Sequence, residues 1–140
     1  MNVPRVVAAA LAAWIVSIGI GYLVNEVLLA GLMTANAAAF RPEAELMANL
    51  PLGFAGMLVG FLAFAYAYAK GYEGGNGVAE GARFGVLVAL IVIGFALVWQ
   101  YVVFPISGSL SVAMVIDAVV EMALYGAIVG AVYKPAGTPA

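Results

Sequence analysis

Four long apolar runs, separated by short polar segments, make up almost the whole chain. The first is free of charge from Val6 to Asn25 and passes through Glu26 to about Met33. The second runs from Leu50 to Ala69 and stops at Lys70. The third runs from Phe84 to Phe104 and stops at Pro105. The fourth runs from about Leu110 to Tyr133 and stops at Lys134-Pro135. A helix needs roughly 20 apolar residues to cross a hydrocarbon core of about 30 Å. In lipid the backbone must satisfy its own hydrogen bonds. The runs therefore predict helices over about 6–32, 50–69, 84–104 and 110–133. A β-barrel is excluded, because the runs lack strict alternation and are about twice the length of a barrel strand. The expected fold is all-α, a four-helix transmembrane bundle forming a single domain over residues 1–140. Ala35-Asn36-Ala37 resembles a leader cleavage site, but the apolar run before it is too long for a leader and only Arg5 precedes it.

Composition supports the same picture. Apolar residues are 66% of the chain and charged ones 9%, against nearly half and a quarter in soluble domains. Too few polar side chains remain to cover a water-facing surface. Five basic residues and a net charge of −2 leave no footprint for nucleic acid. The chain has no Cys and no His. This removes disulfides, thiolate nucleophiles, Ser-His-Asp triads and His-ligated metals or haem. No cofactor is expected.

The basic residues give an orientation. Arg5, Lys70, Arg83 and Lys134 share one side of a four-span protein, and Arg41 alone lies on the other. Positive charge is retained in the cytoplasm, so both termini are expected there. The Thr34–Asn49 connection then faces outward. Its Arg41-Pro42-Glu43-Ala44-Glu45 segment reads as the start of a short helix, with Leu46 and Met47 able to lie in the interface. The loop from Lys70 to Arg83 is glycine-rich, but no Gly-Lys-Ser/Thr follows to make a phosphate loop. It reads as a tight turn.

Leu23-Val24-Asn25-Glu26-Val27 resembles Leu97-Val98-Trp99-Gln100-Tyr101, and Tyr66-Ala67-Tyr68-Ala69-Lys70 loosely resembles Gly130-Ala131-Val132-Tyr133-Lys134. This suggests two helical hairpins in the same orientation, a parallel repeat. Apolar helices also align through composition alone.

Small residues four apart mark expected helix contacts: Gly56 and Gly60, Gly81 and Gly85, Gly126 and Gly130, and the stripe Ala8, Ala12 and Gly19. Lipid offers little hydrophobic force between helices, so close backbone approach supplies the packing.

Candidate chemistry lies in the polar residues that interrupt the spans. Glu26, Asp117 and Glu121 have no basic partner within the predicted spans. Such acids are costly in lipid and are expected to face the bundle interior. Asp117, Glu121 and Tyr125 recur four apart and share a face. Glu26 shares its side with Tyr22, Gly19 and Ala12. By depth, Asn25, Glu26, Gln100, Asp117 and Glu121 are expected to converge in the outer half of the bundle, as a site for a proton, a cation or a cationic small molecule. The plainer alternatives are that Glu26 and Asp117 rest in the headgroups and that Asn25 and Gln100 are interhelical glue. Trp99 and Tyr101 read as an interfacial aromatic belt.

Lys70-Gly71-Tyr72-Glu73-Gly74, Glu80-Gly81-Ala82-Arg83-Phe84-Gly85 and Val132-Tyr133-Lys134-Pro135 together resemble a group of small bacterial four-helix membrane proteins of unknown function. The resemblance implies four spans and a bacterial membrane, and no activity. Small multidrug transporters also have four helices and a Glu in the first. Here the first loop is long, the Glu lies late and the fourth helix carries acids, so none of their sites is assigned.

Three functions follow in order of preference. The first is binding or transport at the carboxylates. The second is an accessory subunit whose acidic and glycine faces meet a partner. The third is a membrane enzyme with a carboxylate pair. The expected partners are the lipid bilayer and a second copy or a partner subunit. Single cysteines at Ala37 and Asn76 test the orientation: an impermeant thiol reagent on intact cells is expected to label the first and spare the second, and the opposite pattern reverses the topology.

Overall fold

The computed structural model describes residues 1–133. Lys134 and Pro135, used above for orientation, resemblance and the last boundary, lie outside them. Asn2 caps α1 (Val3–Tyr22), its side chain accepting from the Arg5 N–H at 3.2 Å. The helix then widens into a π-helical segment, Leu23–Leu28, after which the Leu29 N–H reaches five residues back to the Val24 carbonyl at 2.7 Å. A short α2 (Ala30–Ala35) and a 3-10 turn (Ala37–Ala39) lead to α3 (Glu43–Gly71). Next come α4 (Gly77–Val92), a second π-helical segment (Ile93–Leu97), α5 (Val98–Val103) and α6 (Gly108–Val132). The described residues contain no strand. Four helices are long and apolar enough to cross a membrane: Val3–Leu28, Glu43–Gly71, Gly77–Val103 and Gly108–Val132. The all-α four-helix architecture is the one expected.

Three boundaries differ from the sequence reading. The first span ends at Leu28, because the chain bends at Leu29 before α2. The second begins at Glu43: no separate interfacial helix forms, and α3 runs unbroken through Pro51. A proline removes one helical hydrogen bond, a loss that a long apolar helix tolerates. The third begins at Gly77, since the Asn76 side chain accepts from the N–H groups of Val78 and Ala79 and starts the helix inside the glycine-rich segment. The preceding turn is held by Glu80, whose carboxylate accepts from the Glu73 N–H at 2.7 Å and the Gly75 N–H at 3.3 Å. Gly74, at φ 89°, supplies the left-handed residue.

The closest helix contact joins α4 to α6. A methyl group on Gly77 would strike the Gly130 carbonyl, one on Gly81 the Gly126 carbonyl, and one on Gly85 the Met122 carbonyl. The helices are antiparallel, and each four-residue step along one matches a step along the other. Ala89 continues the row and is fully buried. The backbones meet along matching ridges four residues apart.

Gly56 and Gly60 do not repeat this arrangement. Both are exposed on α3, with nothing within 4 Å of an added methyl group. Their expected helix contact is therefore corrected. On α1 the packed stripe is Val6, Ala9, Ala10, Ala13 and Ser17, while Ala8 and Gly19 face outward. On the neighbouring face Trp14 is turned toward α3, where its indole N–H donates to the Phe54 carbonyl at 3.1 Å. Alanines of equal hydropathy on adjacent faces gave no signal for this choice.

Contacts run α3 to α1, α1 to α6, and α6 to α4, while α3 and α4 scarcely approach at the backbone level. Aromatic rings bridge the remaining gap at the end that carries Arg5, Lys70 and Arg83, called here the basic end. The Phe64 and Phe84 rings are 4.9 Å apart, and Tyr68 packs on Phe84, Tyr72 and Tyr133. The Tyr68 hydroxyl donates to the Gly77 carbonyl at 3.1 Å. At the opposite end, Asn36 joins the two connections. Its side-chain oxygen accepts from the Ser107 N–H at 2.6 Å, and its amide donates to the Ser107 hydroxyl at 3.1 Å. The Ser107 hydroxyl in turn accepts from the Leu110 N–H and caps α6.

Gly81→Leu is expected to force α4 from α6 and lower the melting temperature in detergent, a cost of about 1–3 kcal/mol or more. Gly56→Leu is expected to leave it unchanged. Equal effects from the two variants would contradict the glycine contact.

Candidate functional site: an apolar cavity with one carboxylate

A cavity of about 440 Å³ lies between the four long helices. From α1 and its π-helical extension it is lined by Ser17, Gly21 and Asn25, and from α3 by Met57, Gly60, Phe61 and Phe64. Val88 and Val92 line it from α4, and Glu121, Met122 and Tyr125 from α6. Its depth follows from these positions. Glu121 is near the middle of the 25-residue α6, and Val88–Val92 are near the middle of the third span. The walls are aliphatic, thioether and aromatic. Among the described residues that line it, Glu121 is the one charged group.

The local sequence explains the position of Glu121. Gly126 and Gly130 must face α4, and the 3.6-residue period then turns Glu121 and Tyr125 toward the centre. Tyr125 is 2% exposed and lies edge-on to Phe61, with ring centres 5.2 Å apart. Its hydroxyl is beside the Glu121 carboxylate, and Asp117 is near enough to act on that carboxylate electrostatically. Two carboxylates one turn apart repel when both are ionised.

The expected convergence of polar residues is only partly present. Asn25 and Glu121 line the same cavity, with Tyr125 beside them. The Asn25 amide donates to the Gly21 carbonyl at 2.8 Å, four residues back in the widening helix. Asp117 shares the acidic face of α6 but does not line the cavity, and it is half-buried. Glu26 is exposed, on the same outward stripe as Gly19 and Tyr22, and does not line the cavity either. Its stripe was read correctly as one face, but that face is not the interior one. Gln100 is also elsewhere. With Ala39, Phe40, Arg41, Phe104 and Ile106 it lines a separate recess of about 190 Å³ at the end opposite the basic one. A π-helical segment precedes Gln100. A π turn has a wider repeat than the α-helix, so faces projected at 3.6 residues per turn lose their phase beyond it.

Sequence reasoning missed the buried hydroxyl of Ser17 and the apolar wall formed by Met57, Phe61, Phe64, Val88 and Val92. Phe61 and Phe64 are one turn apart and carry a helical-period signal. In a helix apolar on every side, that signal does not separate core from lipid. It also missed Asn36, whose polarity inside an alanine run was the available sign of a structural role. The described residues hold no group of three acids, Cys or His suited to a metal ion. Comparison of the chain with protein-family models, with curated proteins and with solved structures gives no match, so likeness assigns it neither a family nor a function.

Proposed function

We propose that this is a multi-pass membrane protein that binds a cationic small molecule at Glu121 and carries it across the bilayer. The observation that supports this reading is the single carboxylate in an otherwise apolar cavity near mid-span. An acid placed there is stabilised by a proton or by a bound cation. A volume of about 440 Å³ is in the range of small-molecule sites. Rings at Phe61, Phe64 and Tyr125 add favourable faces for an organic cation. The bacterial inner membrane and cytoplasmic termini belong to the same proposal, supported by the resemblance to small bacterial four-helix proteins and by the placement of Arg5, Lys70 and Arg83 opposite Arg41.

Glu26 supports a second reading, as an accessory subunit. It is an exposed acid on a helix surface that otherwise faces lipid. A partner helix with a donor group would satisfy it.

The test is thermal stabilisation of the purified protein by benzyltributylammonium. Saturation at 100 times the dissociation constant is expected to add about 2.7 kcal/mol. Glu121→Gln is expected to abolish the shift, and Asp117→Asn to retain most of it. Binding is expected to weaken as pH falls, because the proton and the cation compete for one carboxylate. Full stabilisation of Glu121→Gln would overturn the reading.

A further inference from the structure

Resting on that reading, we infer that the ligand is a lipid-soluble monovalent organic cation and that it reaches Glu121 sideways, through a window between α3 and α4. The helix bundle is closed on three sides: α3 against α1, α1 against α6, and α6 against α4. On the fourth side, α3 and α4 are joined by the loop at the basic end and bridged there by the Phe64–Phe84 ring contact. Farther from that end the two backbones scarcely approach. The antiparallel register set by Phe64 and Phe84 brings Gly60 level with Val88, four residues on in each helix, and Met57 level with Val92. These four residues line the cavity. Gly60 is exposed and has nothing within 4 Å of an added methyl group, so the α3 edge of the opening has no side chain there.

The depth of the opening identifies what can pass. Gly60 and Val88 are well inside the 29-residue and 27-residue spans that carry them. At that level the surroundings are acyl chains, not water. A solute using this route must first dissolve in the bilayer, so its charge must be delocalised or shielded by apolar substituents. One lining carboxylate matches one positive charge. The aliphatic and aromatic walls match an apolar body. They do not supply the six to eight oxygen ligands that a calcium ion requires. Small hydrated cations are therefore poor ligands, by charge density and by route.

The experiment uses the full chain in lipid nanodiscs and reads both affinity and association rate. Benzyltributylammonium is expected to bind at least about tenfold more tightly than tetramethylammonium, which has the same charge without the apolar body. Equal affinity for the two would overturn the ligand class. Cysteines at Gly60 and Val88, in a chain that has none of its own, allow the window to be tied with a reducible bis-maleimide. Cross-linking is expected to slow association of benzyltributylammonium by about tenfold or more, as a barred route does, and reduction to restore it. The single variant Val88→Trp, which narrows the same opening, is expected to slow association in the same direction. Unchanged association in both the cross-linked protein and Val88→Trp, with binding still lost in Glu121→Gln, would overturn the window and leave the Glu121 site standing. Binding that survives Glu121→Gln would instead overturn the site on which the window depends.

Discussion

Direct contact between the backbones of α4 and α6 is the constraint on which the rest of this structure depends. Gly77, Gly81 and Gly85 meet Gly130, Gly126 and Met122 at separations that leave no room for a single methyl group. Lipid is as apolar as a leucine side chain, so it provides little hydrophobic drive to bring helices together. The attraction comes from many short-range dispersion contacts, and glycine lets them form along the whole ridge. The Tyr68 hydroxyl closes this contact at the basic end by donating to the Gly77 carbonyl.

The other interfaces follow from it. With Gly126 and Gly130 committed to α4, the acidic face of α6 is turned toward the bundle centre. The opposite choice, large rings instead of glycine, holds α3 at a distance. Phe61 reaches Tyr125, and Phe64 and Tyr68 reach Phe84. Rings of this size span a gap that backbones do not close, so α3 and α4 stay apart beyond the aromatic cluster. The cavity is the space left between a tightly packed helix pair and a widely packed one. The two hairpins suggested by the sequence are thus held differently, the first through alanines and Ser17 on α1, the second through glycines.

Much of the architecture could be read directly. Four apolar runs became four helices, and Lys70 and Pro105 end their runs within two residues of the helix ends at Gly71 and Val103. The face of α6 bearing Glu121 and Tyr125 was legible because polar residues four apart stand out in an apolar helix. The contacts of Gly56 and Gly60 were not, since glycine spacing is the same whether the partner is a helix, a cavity or lipid. Glu26 and Gln100 were expected beside Glu121 on depth alone. Height along a helix is set by residue number, but direction is set by rotation about its axis, and the π-helical segment at Ile93–Leu97 changes that phase before Gln100, while the face of Glu26 is already outward at Gly19 and Tyr22.

Local chemistry in the sequence determined the helical class, the number of long apolar helices and the presence of acids within them, because each depends on a residue and its near neighbours. Tertiary structure alone decided which glycines touch, which acid lines a cavity and which pair of helices stays open. Those outcomes depend on how four helices of nearly uniform hydropathy rotate against each other. A uniform apolar surface does not encode that rotation. It is fixed by the few places where backbones can meet, as at Gly81 and Gly126, or where rings must keep them apart, as at Phe64 and Phe84.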